Sequence, residues 1–286
     1  GTLLWDAKDL AGAEKAFQAA VDLTPRHAVA LARLGAVKLE RDDVDGAVQR
    51  LNAASSEDTK LVEARHWLGR ALLKKGETPG AITQLRKAVE LEPGNAKNHL
   101  HLGLALERSG ALPEAIEAYR AATRNDPKYV DAYERIGGLY ASNGRYQDAV
   151  PAYERAIAAA PRLSRLRMAL GDCKEKLGKH EEAVKAFRDV LKSDPSAVQA
   201  VYRLARALHE SEGARVALPV YERAAREEPK NPMPHYYLGY LYKERNQRTK
   251  AIQEFRRYLQ LRPDAEEKKD IENEIEDLGG GRTQRE

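Results

Sequence analysis

Tyr202, Arg206 and His209 stand at spacing i, i+4, i+7, and Tyr236, Tyr240 and Lys243 repeat that spacing further along the chain. On a helix each triplet forms one face. The chemistry of such a face is recognition. Tyrosine and arginine bury area and still form hydrogen bonds, so they carry binding energy at interfaces. Arginine can also hold a carboxylate through two parallel bonds. Arg203 and Tyr237 stand beside the triplets, and His66, Trp67 and Arg70 form a second, more apolar group with His101.

Catalytic chemistry has no comparable support. The chain holds no Gly-rich phosphate loop, no His-x-x-x-His pair and no Cys-x-x-Cys. His99 and His101 are two apart, so on a helix they point to different sides and do not clasp one metal together. The many Glu and Asp residues fall mostly on exposed helix positions, as a solvated face requires. No site for catalysis is expected, and no cofactor or metal.

The elements that must position these residues come from a repeat. Proline recurs at a constant interval, at Pro25, Pro93, Pro127, Pro161, Pro195, Pro229 and Pro263, with Thr59 in the remaining slot. Twelve residues before each slot stands Ala13, Ala47, Ala81, Ala115, Ala149, Ala183, Ala217 or Ala251. Four residues after each alanine comes a ring or a leucine: Phe17, Leu51, Leu85, Tyr119, Tyr153, Phe187, Tyr221, Phe255. A Leu-Gly pair opens most units, as in Leu34-Gly35, Leu68-Gly69, Leu102-Gly103, Leu170-Gly171 and Leu238-Gly239, with Ile136-Gly137 and Leu204-Ala205 as variants. A fixed period of this length means a solenoid whose units pack on their neighbours. Gly and Ala within the helices are there for size, and a Gly facing an Ala across the pair is expected to bring two backbones close. The ring is expected to fill the groove between units, and the proline to stop the second helix.

This pattern resembles the tetratricopeptide repeat (TPR) family over residues 1 to about 263. The resemblance implies an all-α, right-handed superhelical solenoid of 34-residue helix-turn-helix repeats, with the first helix of each pair lining a concave groove. It implies a truncated first repeat (1–27), seven full repeats starting at 28, 62, 96, 130, 164, 198 and 232, then a C-terminal capping helix over 264–278 and a polar tail over 279–286. The cap reading rests on a narrow apolar stripe, Ile271, Ile275 and Leu278, on an otherwise acidic helix. At the other end, Leu3, Leu4 and Trp5 would pack against a preceding turn, so the chain reads as a piece of a longer protein.

Mapped on the family's groove positions, Tyr202, Arg203, Arg206 and His209 with Tyr236, Tyr237, Tyr240 and Lys243 make a Tyr-rich, basic wall. Tyr237 and Tyr242 are expected to pack partly between helices. His66, Trp67 and Arg70 face Leu100, His101 and Leu104 of the next unit, a patch suited to a Leu or aromatic anchor. The groove slots hold none of the asparagines by which some TPR domains grip chaperone tails or form peptide-clamping ladders. The expectation is therefore a protein–protein interaction scaffold whose partner is a protein or a peptide segment, acidic and aromatic where it meets the wall. Head-to-tail self-association, or service as the regulatory module of a larger protein, such as one that recruits a small GTPase or a cell-surface machine, is the alternative.

Composition narrows the classes further. Net charge is only +4, a poor footprint for nucleic acid. No apolar run of the length needed for a membrane span occurs, no signal peptide is visible, and no heptad pattern persists. The single cysteine fits a reducing compartment, so a cytoplasmic location is expected. Cys173 falls in a slot held elsewhere by Val, Ala or Leu and reads as a small buried hydrophobe.

Overall fold

The computed structural model describes residues 1–279, and every regular element among them is a helix. The chain divides into two compact units, Gly1–Leu139 and Tyr140–Glu286, with the boundary inside helix α9 (Val130–Ser142). The first unit also contains α1 (Thr2–Asp6), α2 (Leu10–Leu23), α3 (Ala28–Glu40), α4 (Val44–Glu57), α5 (Val62–Lys75), α6 (Thr78–Leu91), α7 (Ala96–Arg108) and α8 (Leu112–Asn125). The second contains α10 (Tyr146–Ala159), α11 (Ser164–Lys176), α12 (His180–Ser193), α13 (Val198–Glu212), α14 (Ala214–Glu227), α15 (Pro232–Glu244), α16 (Arg248–Leu261) and α17 (Lys268–Leu278). Each unit is an all-α stack of helix pairs, the arrangement of a TPR solenoid.

The recurrent proline acts one residue after the helix ends. The residue before it is forced out of the helical region, as at Glu92 (φ −139°, ψ 74°) and Asp126 (φ −135°, ψ 98°). Asp58, which precedes Thr59, adopts the same conformation (φ −133°, ψ 101°). Its carboxylate accepts from the Lys60 backbone N–H at 2.9 Å, as Asp126 does from Lys128. The side-chain acceptor is common to turns with and without proline, so the turn persists at Thr59. Between the helices of a pair the chain crosses positive φ, usually at glycine (Gly76, +94°; Gly110, +82°) and otherwise at Lys8 (+61°), Asp42 (+71°) or Asn246 (+59°).

The packing of each pair corrects one expectation. The glycine of the Leu-Gly motif does not chiefly face the alanine. A Cβ on Gly103 would lie 2.5 Å from the Tyr119 ring, and one on Gly171 would lie 2.5 Å from the Phe187 ring. At Gly35 and Gly69 the obstacle is Leu51 or Leu85, although at Gly35 the Ala47 carbonyl also comes within 3.2 Å. The glycine therefore makes room for the ring or leucine of its own pair, which is buried inside the pair rather than set between repeats. Tyr119, Phe187, Phe255, Leu51 and Leu85 are all fully buried.

The last helix is shorter than expected. It starts at Lys268 rather than 264, because after Pro263 the backbone turns through Ala265 N–H to Arg262 C=O and Lys268 N–H to Ala265 C=O bonds. Ile271 is fully buried, and Ile275 and Leu278 pack against the core of the second unit. Beyond Gly279 the expected polar tail lies outside the described residues. At the other end Leu3 is 83% exposed, but Trp5 is not unpartnered. Its ring meets Phe17 and Trp67, and its N–H donates to Glu40 at 2.7 Å. Cys173 is buried, and burial pushes its thiol up to about 11. No helix among the described residues is long and apolar enough to cross a membrane.

Candidate binding surfaces in the two units

In the first unit, α5 and α7 bring His66, Trp67, Arg70 and His101 to one cavity of about 660 Å³, together with Leu100 and Tyr129. The spacing of the residues along each helix does this locally, and the offset of one repeat does it between helices. Trp67 is the plate of the site. Trp5 packs on it with ring centroids 5.6 Å apart, His66 meets it edge-on at 5.8 Å, and the Arg70 guanidinium sits 4.1 Å from its ring centroid. His66 and His101 cross at 4.7 Å in a T-shaped contact.

The protonation of the two histidines follows from their partners. His101 Nδ1 lies 2.8 Å from the Lys97 carbonyl, which only accepts, so Nδ1 carries the proton. The Asn98 amide donates to the Ala88 carbonyl, which turns its oxygen toward His66 Nδ1 at 2.7 Å and makes that nitrogen a donor too. Burial, then the neighbouring His101, pulls His66 down to about 3, and burial pulls His101 down to about 4. Both rings are therefore neutral at physiological pH and show the site a lone pair on Nε2, not a charge. Asn98, almost wholly buried, sets this arrangement and was missed by the sequence reading. An asparagine where core packing is needed is the only signal that could have found it.

Arg70 is the cation of this site. Burial lowers its affinity for a proton, which the charge of Glu40 partly offsets. Among the described residues no carboxylate forms an ion pair with it, and Glu40 is engaged by Trp5. Lys97, Glu63, Glu92 and Asp131 also line the cavity, so it is mixed in sign.

In the second unit, α13 and α15 place the expected wall residues together. Their rings form a continuous band: Tyr202 to Tyr237 at 6.4 Å, Tyr237 to Tyr236 at 5.4 Å, Tyr236 to Tyr240 at 5.1 Å, and Tyr240 onto the buried Phe255 at 5.0 Å. Tyr237 stacks at 5.1 Å on Tyr221, which is fully buried, and Tyr242 is buried with its hydroxyl donating to Glu222. His209 meets Tyr237 edge-on at 6.1 Å, and its Nδ1 is buried without a hydrogen-bond partner among the described residues.

The charge of this wall is not what the sequence suggested. Arg203 donates to Asp172 at 2.7 Å, Arg206 is bound to Glu175, and Lys243 donates to Glu274 at 2.5 Å. Burial works against the charge on Arg206, but Glu175 outweighs it and holds the guanidinium above its ordinary range. Burial likewise raises the Asp172 carboxyl, with Arg203 opposing. The wall is aromatic with closed charges, not a free basic surface. Asp172 and Glu175 lie 31 residues before their cations, an offset that is legible in the sequence once the repeat is known, whereas Glu274 comes from the last helix, 31 residues after Lys243.

TPR family models match the chain at residues 4–71, 67–130, 113–164, 135–197, 168–214 and 202–266. No curated protein matches it. Among solved structures, the C-terminal part of a TPR repeat-containing protein from Cytophaga hutchinsonii is 18% identical with a TM-score of 0.75, covering 84% of this chain and 98% of that one. MamA is 30% identical with a TM-score of 0.54, covering 58% of this chain and 97% of that one. YrrB, described as a TPR protein with an unusual peptide-binding site, is 21% identical with a TM-score of 0.56, covering 63% and 92%. The repeat signature, the helix pairs and these matches agree, and the chain belongs to the tetratricopeptide repeat family.

Proposed function

We propose that this protein is a non-enzymatic scaffold that holds a segment of a partner protein on the surface lined by its first helices. The anchor is the cavity of the first unit, where Arg70 takes a carboxylate and Trp67, with Leu100, takes the apolar side chain beside it. The observation that carries this reading is Arg70 itself: half-buried, stacked on Trp67, and without a carboxylate of its own. A cation held in place by a ring and not ion-paired to a carboxylate among the described residues is preorganised for an external anion, which lowers the ordering cost of binding. The histidines add flat, neutral walls and acceptors, so the charge recognised there is set by Arg70.

The test is direct. Proteins retained from a cell extract by the wild-type chain are compared with those retained by Arg70→Ala and by Lys87→Ala, the latter an exposed residue of the second helix α6. The captured partner is then titrated with each variant. Loss of one desolvated anchor costs at least about 2 kcal/mol, or about thirtyfold in affinity. Binding that survives Arg70→Ala but fails with Lys87→Ala places the interface on the other face and overturns the reading.

A further inference from the structure

We infer that the tyrosine band of the second unit is a docking site for a proline-rich, uncharged extended segment of the partner, a specificity that rests on the surface reading above. The argument begins with what the band cannot offer. Arg203, Arg206 and Lys243 are each occupied by an internal carboxylate. An acidic partner would have to break these pairs, and Glu175, only 7% exposed, would be left buried and unpaired. A basic partner meets the same carboxylates already neutralised. Charge complementarity therefore selects a segment with no charge.

What the band does offer is half-exposed rings and phenolic hydroxyls. Tyr202, Tyr236 and Tyr240 are half-buried, and each carries a phenolic O–H that can donate. Burial holds the Tyr202 and Tyr240 phenols protonated, pushed up to about 12, so both remain donors. A polyproline segment is the complement of this surface. Its carbonyls need donors, while proline has no N–H and asks for no acceptor. Its rings pack on aromatic faces, and its helix is formed in advance, which cuts the entropy lost on binding.

The experiment uses the whole chain and three fluorescent peptide amides of equal length: nonaproline, an alternating Asp-Gly peptide and an alternating Gly-Ser peptide, read by anisotropy. Nonaproline is expected to bind best, with little change between about 50 and about 500 mM salt, since no exposed ion pair is formed. Tyr236→Ala with Tyr240→Ala should weaken it at least tenfold, about 1.4 kcal/mol. Tyr240→Phe keeps the ring packed on Phe255 and removes only the hydroxyl, so it should fold as wild type and still weaken binding severalfold. Arg70→Ala should leave nonaproline binding unchanged. Preferred binding of the Asp-Gly peptide, abolished by Arg206→Gln, overturns the inference, as does nonaproline binding that ignores all the tyrosine variants. If nonaproline fails while Arg70→Ala still releases the captured partner, the proline inference is wrong and the surface reading stands. If neither set of variants alters partner binding, the surface reading is wrong as well.

Discussion

Arg206→Ala removes one half of an ion pair whose other half, the Glu175 carboxylate, is nearly out of reach of water. Removing one partner of a fully buried pair costs about 3–5 kcal/mol, and an exposed pair is worth at most about 1 kcal/mol. Arg206 is itself 34% exposed, so water replaces part of what is lost. The expected destabilisation lies between these limits, at about 2 kcal/mol. For a unit of this size that lowers the melting temperature by about 4–8 °C. Urea denaturation followed by circular dichroism reads it directly. Glu175→Gln in the same chain removes the orphaned charge, so the double variant should cost about 1–2 kcal/mol less than the sum of the singles. A loss below about 0.5 kcal/mol for Arg206→Ala, with additive singles, would show the pair to be ordinary surface charge and remove the ground for calling the wall charge-closed. Arg206→Glu is a poor probe of binding for the same reason. It sets a second carboxylate beside Glu175 and destabilises the repeat before any partner is tested.

Two further outcomes follow from the geometry. Gly103→Ala drives a Cβ into the fully buried Tyr119 ring, and overpacking of about 1–3 kcal/mol outweighs a helix-propensity gain of about 1 kcal/mol, whereas Gly94→Ala meets nothing within 4 Å and should be neutral; equal urea midpoints for both would refute the packing assigned to the motif. His66 and His101 are held below their unfolded values, so between about pH 6.5 and pH 4 the unfolded chain binds protons that the native chain refuses, and stability should fall on acidification; a His66→Gln variant should lose part of that dependence, and an identical pH profile of melting temperature would contradict the burial of this ring.

The repeat and its chemistry divide what could be read early from what could not. Proline at a constant period, alanine and a ring at fixed offsets, and the Leu-Gly pair determine helix pairs and their register, because each is a local constraint: a helix stop, a close approach, a filled space. Mapped on the family's groove positions, the same register set the faces of Tyr202 and Tyr236 on neighbouring units and His66 opposite His101. What sequence spacing leaves open is the state of each charge. Arg206 and Arg70 occupy the same position of their repeats, four periods apart. One is bound to Glu175 and the other is left on Trp67, since the first has a carboxylate 31 residues before it and the second has Leu39 there. The fate of the glycine's neighbour, the turn that shortens α17, and the burial of Asn98 beneath His66 are likewise settled by side chains from different helices competing for the same space. Local propensity sets where a helix starts and which face it shows, while the partner of a buried charge or ring is chosen only when the helices pack.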